Sequence, residues 1–245
     1  MEAVRWRSPD ERPPAAIQIQ SPYELEARYS TKRDTQWVGS KTHLSETCDD
    51  GDPDLITQAL TTPATTPDWV MGPVIQEDLA QRALLPGTHL LDSGSVDAQF
   101  LASAQHLHHI AVIGPPFGSY RRQHRAGPGY GVEAFTLDWA THQARCPQGH
   151  PSVTWTPGHD MRGAPVVRMR FDTATCRACQ VRSACTWAKE APRQLTVRPQ
   201  EQHGAMQAAR QRQETAEFKA RYALRAGAES TLAQGGRRFD LRQGR

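Results

Sequence analysis

The stretch HLLDSGSVDAQFLASAQHLHHIAVIGP, His89–Pro115, decides the fold class. It opens on a short apolar run ending at Asp92, continues with helical spacing from about Val96 to Leu107, and closes on a second apolar run, HIAVIGP. Strand, helix, strand is the unit of an α/β protein. Upstream, Asp68–Leu84 carries Val70, Val74, Ile75, Leu79 and Leu84 at near-helical spacing after the helix-start signals of TTPATTPDW. Before that helix, WVGSKTHLSET (Trp37–Thr47) alternates as a strand and LITQAL (Leu55–Leu60) as another, with the turn-forming DDGDPD between them. The expectation is therefore hairpin, helix, strand, helix, strand, with the strands in one mixed sheet.

Downstream the periodicity fails from Phe117 to about Leu195, where GSYRRQHRAGPGYG, CPQGH and CRACQVRSAC replace it. This segment is expected to be an insertion with a small fold of its own. One helix is then expected from Pro199 to Ala226, packed on the sheet, followed by a Gly- and Arg-rich end without a terminating element. The expected organisation is an irregular lead-in (1–20), the first part of the core (21–116), the insertion (117–195) and a second core part with a basic tail (196–245).

Composition narrows the function classes. With 38% hydrophobic residues, 18 Gly and 18 Pro in 245 residues, neither wholesale disorder nor a collagen-like fibre is indicated. The longest apolar run, Ile110–Phe117, is far short of the roughly 20 residues of a spanning helix, and the mean hydropathy is −0.65. MEAVRWRSPDERPP lacks the apolar stretch of a secretory signal, so the cytoplasm is the expected compartment. Five cysteines there are expected to be thiols or metal ligands rather than disulfides. The net charge of +3 is unevenly spread: residues 196–245 hold ten Lys/Arg against five Asp/Glu, a net +5 that suits a polyanion. Arg121 and Arg122, with Arg125, lie near Tyr120 and Tyr130, whose rings could stack on unpaired bases.

Three constellations could carry chemistry. Cys146-Pro-Gln-Gly-His150 is followed by Cys176-x2-Cys179-x5-Cys185. Four thiolates, or three with His150, suit tetrahedral Zn²⁺, and the preferred set is Cys146, Cys176, Cys179 and Cys185; ordinary reduced thiols are the alternative. Asp92 stands at the carboxyl end of a strand, where α/β proteins build sites, although an Asp before Ser-Gly also serves as a turn cap. Tyr222, Arg225 and Glu229 fall at i, i+3 and i+7, one helix face if the helix passes Gly227. On that face a carboxylate could hold a divalent ion while Arg225 binds phosphate; a structural Arg–Glu pair is the plainer reading.

The ordered set SPYELEARYSTKRDTQWVGSKTHLSETCDD, LLDSGSVDAQFL, CPQGH with CRACQVRSAC, and FKARYALRAGAESTLAQGGRRFDLR resembles one family of bacterial insertion-sequence transposases of the DDE type. The resemblance runs over nearly the whole chain from about Trp6. It implies an α/β fold with a ribonuclease H-like mixed sheet and helices, here incomplete and interrupted by the cysteine-bearing insertion. It also implies that Asp92 is the family's second catalytic aspartate and Glu229 its catalytic glutamate, both ligands of Mg²⁺, within the signature Tyr222-x2-Arg225-x3-Glu229. The basic residue that closes this signature would fall at Gly236, with Arg237 and Arg238 adjacent. DNA is the implied partner of Tyr222, Arg225, Arg237 and Arg238, at the element ends and at the target. A homo-oligomer or association with full-length transposase, in the nucleoid-associated cytoplasm, is implied as well.

The departures shape the functional expectation. The family's first catalytic aspartate lies upstream of the SPY segment, and Asp34, Asp49 and Asp50 sit at the wrong point of the topology to replace it. Relatives also continue with more helix beyond the final Gly-Arg. The expectation is a fragment, truncated at both ends, of an enzyme that cuts and joins DNA strands in transposition, and inactive alone. The alternative is a non-catalytic, zinc-stabilised DNA-binding or regulatory module.

Overall fold

The alternation of Trp37–Thr47 becomes β2 (Thr35–Glu46), which pairs antiparallel with β3 (Ile56–Pro63) from Ser40 opposite Pro63 to Glu46 opposite Ile56. In this computed structural model, which describes residues 5, 7–32, 34–49, 51–92, 95–116 and 129–239, the expected hairpin is present. An unanticipated strand, β1 (Arg28–Lys32), pairs with the first five residues of β2, Arg28 opposite Gly39 through Lys32 opposite Thr35. A 3₁₀ turn at Asp68–Val70 leads into α1 (Met71–Gln81), which buries Met71, Ile75 and Leu79 at successive i+4 positions against Leu60 and Val70. These elements belong to a unit made of Met1–Ser95, Ala104–Gly114 and Glu214–Arg245.

The strands on either side of α2 (Ala98–His108), β4 (Thr88–Leu90) and β5 (Ala111–Ile113), form a parallel pair, with Leu91 N donating to Ile113 O at 2.9 Å. The single mixed sheet does not form. Among the described residues the only strand that pairs with β4 is β5, and β1-β2-β3 is a separate sheet, so no ladder links the two. The C-terminal helix also departs from expectation, dividing into α5 (Gln200–Gln213), α6 (Ala216–Ala223) and α7 (Ala226–Arg238). Thr215 causes the first break by acting as an N-cap, its side chain accepting from Phe218 N at 3.1 Å. The Gly- and Arg-rich segment, expected to lack a terminating element, is helical through Gly235 and Gly236 to Arg238, and residues 240–245 lie outside the described residues. α7 packs on β2, and a Cβ at Gly227 would stand 3.1 Å from Glu46 Oε1.

The second unit comprises Val96–Ser103 and Pro115–Gln213. Its hairpin β6–β7 (Thr136–Asp138, Gln143–Arg145) precedes an antiparallel sheet with β9 (Pro165–Phe171) between β8 (Ser152–His159) and β10 (Gln194–Val197). From Val167 onward β9 alternates: Val167, Met169 and Phe171 face the core with Phe135, Ala144, Leu195 and Val197, while Arg168 and Arg170 are exposed. Two short helices follow β9, α3 (Thr173–Ala178) and α4 (Arg182–Cys185). No helix among the described residues is long and apolar enough to cross a membrane.

Candidate active site

Asp92 lies two residues beyond β4, where the chain turns: its Oδ1 accepts from Ser95 Oγ at 2.8 Å and its carbonyl from Ser95 N at 3.1 Å. The carboxylate is thus fixed, half-buried, at the end of the parallel pair. Arg221 on α6 donates to Thr88 Oγ1 at 3.3 Å, tying that helix to β4. One residue on, Tyr222 stacks on Phe218 (centroids 5.6 Å apart) and lies under the Arg225 guanidinium at 5.8 Å. Arg225 directs Nη1 and Nη2 to Glu229 Oε1 at 2.8 and 2.9 Å.

Tyr222 is where these groups meet electrostatically. Burial raises its phenol above the usual tyrosine range; Arg225 opposes the rise, and Asp92 and Glu229 add to it. Asp92, Tyr222, Arg225 and Glu229, four residues singled out in the sequence, therefore share one neighbourhood. The pairing of Arg225 with Glu229 is also the structural i, i+4 pair of the plainer reading. Arg237 and Arg238 end α7, Arg237 Nε donating to Ala233 O at 3.2 Å. Arg121 and Arg122 lie outside the described residues.

Sequence reasoning missed a second polar group beside Asp92. On β2, Lys41 and His43 occupy alternate positions of one face. Lys41 Nζ donates to Asp68 Oδ1 at 2.9 Å and to Thr66 O at 2.7 Å, and Lys32 reaches Asp68 Oδ2 at 3.3 Å. Burial by itself would raise the Asp68 carboxyl, but the two lysines outweigh it and hold it below the usual range. His43 bonds Thr62 Oγ1 through Nε2 at 3.0 Å; burial lowers its pKa against the pull of Asp68 and Asp92. The i, i+2 spacing of Lys41 and His43 within a recognised strand was the available signal.

In the second unit the cysteines are brought to one cavity, lined by Cys146, Cys176, Cys179, Cys185 and His150. Cys146 opens a tight turn in which Gly149 N donates to Cys146 O at 2.8 Å and Cys146 N to His150 O at 2.9 Å, with Gly149 at φ +82°. Asp172 caps α3, which carries Cys176; Cys179 follows the helix and Cys185 ends α4. Burial pushes the Cys185 thiol up, with Arg193 opposing and the other three cysteines reinforcing. All four are free thiols. As they stand, no group of three or more His, Cys, Asp or Glu side chains among the described residues is placed to hold a metal ion, so the expected zinc site is not formed.

Residues 145–245 match the family model described as a transposase DDE domain. The match supports a DDE-type transposase, as the sequence resemblance implied; it spans Cys146, Cys176, Cys179, Cys185, Tyr222, Arg225 and Glu229, while Cys48 and Asp92 lie before it. No curated protein and no solved structure matches the chain.

Proposed function

We propose, starting from a DDE-type transposase, that the first unit carries part of a DNA strand-cleavage and strand-transfer centre, with Asp92 and Glu229 as two of its metal-binding carboxylates. The observation that carries this reading is the phenol of Tyr222, which feels both carboxylates although they are 137 positions apart in the chain. Hard carboxylate oxygens fit Mg²⁺, and Asp92 and Glu229 would hold it. When bound, such ions activate water or a 3′-hydroxyl and stabilise the leaving oxygen.

The chain's own groups have distinct tasks. Ser95 fixes the Asp92 carboxylate through its hydroxyl. Tyr222, its ionisation pushed upward, keeps its proton at neutral pH and can donate to a phosphate oxygen. Arg225 supplies a guanidinium for the phosphodiester, and Arg237 and Arg238 extend the positive surface along α7. The same reading has the chain act on DNA in the cytoplasm, with itself or with full-length transposase. No third acid among the described residues joins Asp92 and Glu229. Two carboxylates alone do not bridge a two-metal centre, so these 245 residues are proposed to bind DNA without cutting it.

The test is a nicking and binding assay on duplex and branched DNA with Mg²⁺ or Mn²⁺, using the wild type, Asp92→Asn and Glu229→Gln. The expected result is salt-sensitive binding by all three and no cleavage. Nicking that disappears in Asp92→Asn would keep the assignment of Asp92 and overturn the inactivity. Failure to bind DNA at low salt would overturn the function itself.

A further inference from the structure

We propose that the exposed face of the β8-β9-β10 sheet is a docking surface for the phosphate backbone of duplex DNA, with Arg168 and Arg170 as its two cationic contacts. This rests on the reading of the chain as a DNA-acting protein and adds a surface in the second unit, whereas Arg237 and Arg238 belong to the first. The register fixes which residues share the face. Thr154 and Gln194 stand opposite Arg170, and Thr156 and Thr196 opposite Arg168, on the two strands that flank β9. Residues directly opposite point to the same side, so these six form two rows of three. Trp155, Met169 and Leu195, one step along, turn to the core side.

The charge on this face is left unanswered by the fold. Among the described residues neither Arg168 nor Arg170 has an ion-pair partner, although elsewhere in the unit Arg177 pairs with Glu190 at 2.5 Å and Arg198 with Asp160 at 3.0 Å. An acid opposite either arginine would form a stabilising cross-strand pair, yet all four flanking places hold a hydroxyl or an amide. Arg168 is also pre-set. Its Nη2 donates to His159 O at 2.5 Å, and the guanidinium occupies the room left by Gly158, where a Cβ would stand 2.6 Å from Nη1. Thr154 Oγ1 accepts from Arg170 N at 3.1 Å, which leaves its hydroxyl proton for an acceptor outside the sheet. Arg, Thr and Gln are side chains that contact phosphate oxygens and so position a protein on a duplex. None of the six carries a ring that could stack on an unpaired base, so the face suits backbone contact rather than base capture.

The experiment measures binding of the full chain to a fluorescent DNA duplex of arbitrary sequence by anisotropy across a salt series. It compares the wild type, Arg168→Gln with Arg170→Gln, and Thr156→Glu. The double substitution should reduce the slope of log affinity against log salt by about 1.8, at about 0.9 per lost phosphate contact, with the urea midpoint unchanged. Thr156→Glu keeps both arginines and sets an intramolecular acid opposite Arg168, so it should weaken binding without lowering the urea midpoint. A second duplex of scrambled sequence should show the same losses. If the wild type binds and neither variant changes the slope or the affinity, the face is overturned while the DNA reading stands. Failure of the wild type to bind at low salt would overturn both. A loss confined to one of the two duplexes would overturn the backbone contact.

Discussion

Replacing His89 by Gln should flatten the acid limb of the stability curve. His89 is on β4, its Nδ1 3.4 Å from Nε2 of Gln76, a side chain only 1% exposed on α1. Burial pushes the imidazole from 6.5 down to about 4, because the charged ring loses its hydration. Folding therefore holds His89 neutral while the unfolded chain takes up a proton between those two values. Its contribution is fully present above pH 6.5 and drains away as the pH falls toward 4. At 1.36 kcal/mol per pKa unit the whole shift corresponds to about 3 kcal/mol, lost at no more than about 1.4 kcal/mol per pH unit. Urea unfolding followed by circular dichroism at pH 7, 6, 5 and 4.5 measures it. Between pH 7 and 4.5 the wild type should lose about 2–3 kcal/mol more than His89→Gln. Identical pH dependence in the two proteins, or a His89 ring resonance titrating near 6.5, would refute the reasoning.

Met169→Ala empties a fully buried position at the centre of β9 and should cost about 2–5 kcal/mol, seen as a lower urea midpoint; an unchanged midpoint would contradict the packing of the second unit. Arg237→Gln with Arg238→Gln should weaken DNA binding and reduce the slope of log affinity against log salt by about 0.9 per lost phosphate contact, measured by fluorescence anisotropy. An unaltered slope would remove the end of α7 from the DNA surface.

Legibility in the sequence followed how local each signal was. The β2–β3 hairpin was readable because its alternation and its turn are both local. β1 was not, since Arg28–Lys32 carries no apolar alternation and is a strand through its backbone pairing with β2. Pro157 and Gly158 hid β8 by resembling a break, although β9 beside it has the simplest alternation in the chain. The break before α6 hinged on one hydroxyl, that of Thr215, in a stretch whose helical spacing runs on regardless. The four cysteines line one cavity without converging as ligands, and their spacing gave no sign that Arg182 and Arg193 would line it too. For the candidate centre, the Asp92 turn and the Arg225–Glu229 spacing were visible, whereas Lys41 and His43 needed the strand's facing to be known.

The Arg225–Glu229 contact sets a toll on any cation arriving at Glu229, which must first displace an intramolecular rival. The carboxylate side chain is 67% exposed, and an exposed i, i+4 pair is worth only about 0.3–0.5 kcal/mol, so the rival lowers apparent cation affinity by roughly twofold. Displacement also frees a guanidinium that is 22% exposed and already braced by the Tyr222 ring. Under the roles proposed for these residues, cation uptake at Glu229 and release of Arg225 toward a phosphate would be one exchange, and by reciprocity phosphate held on Arg225 would tighten cation capture by the same modest factor.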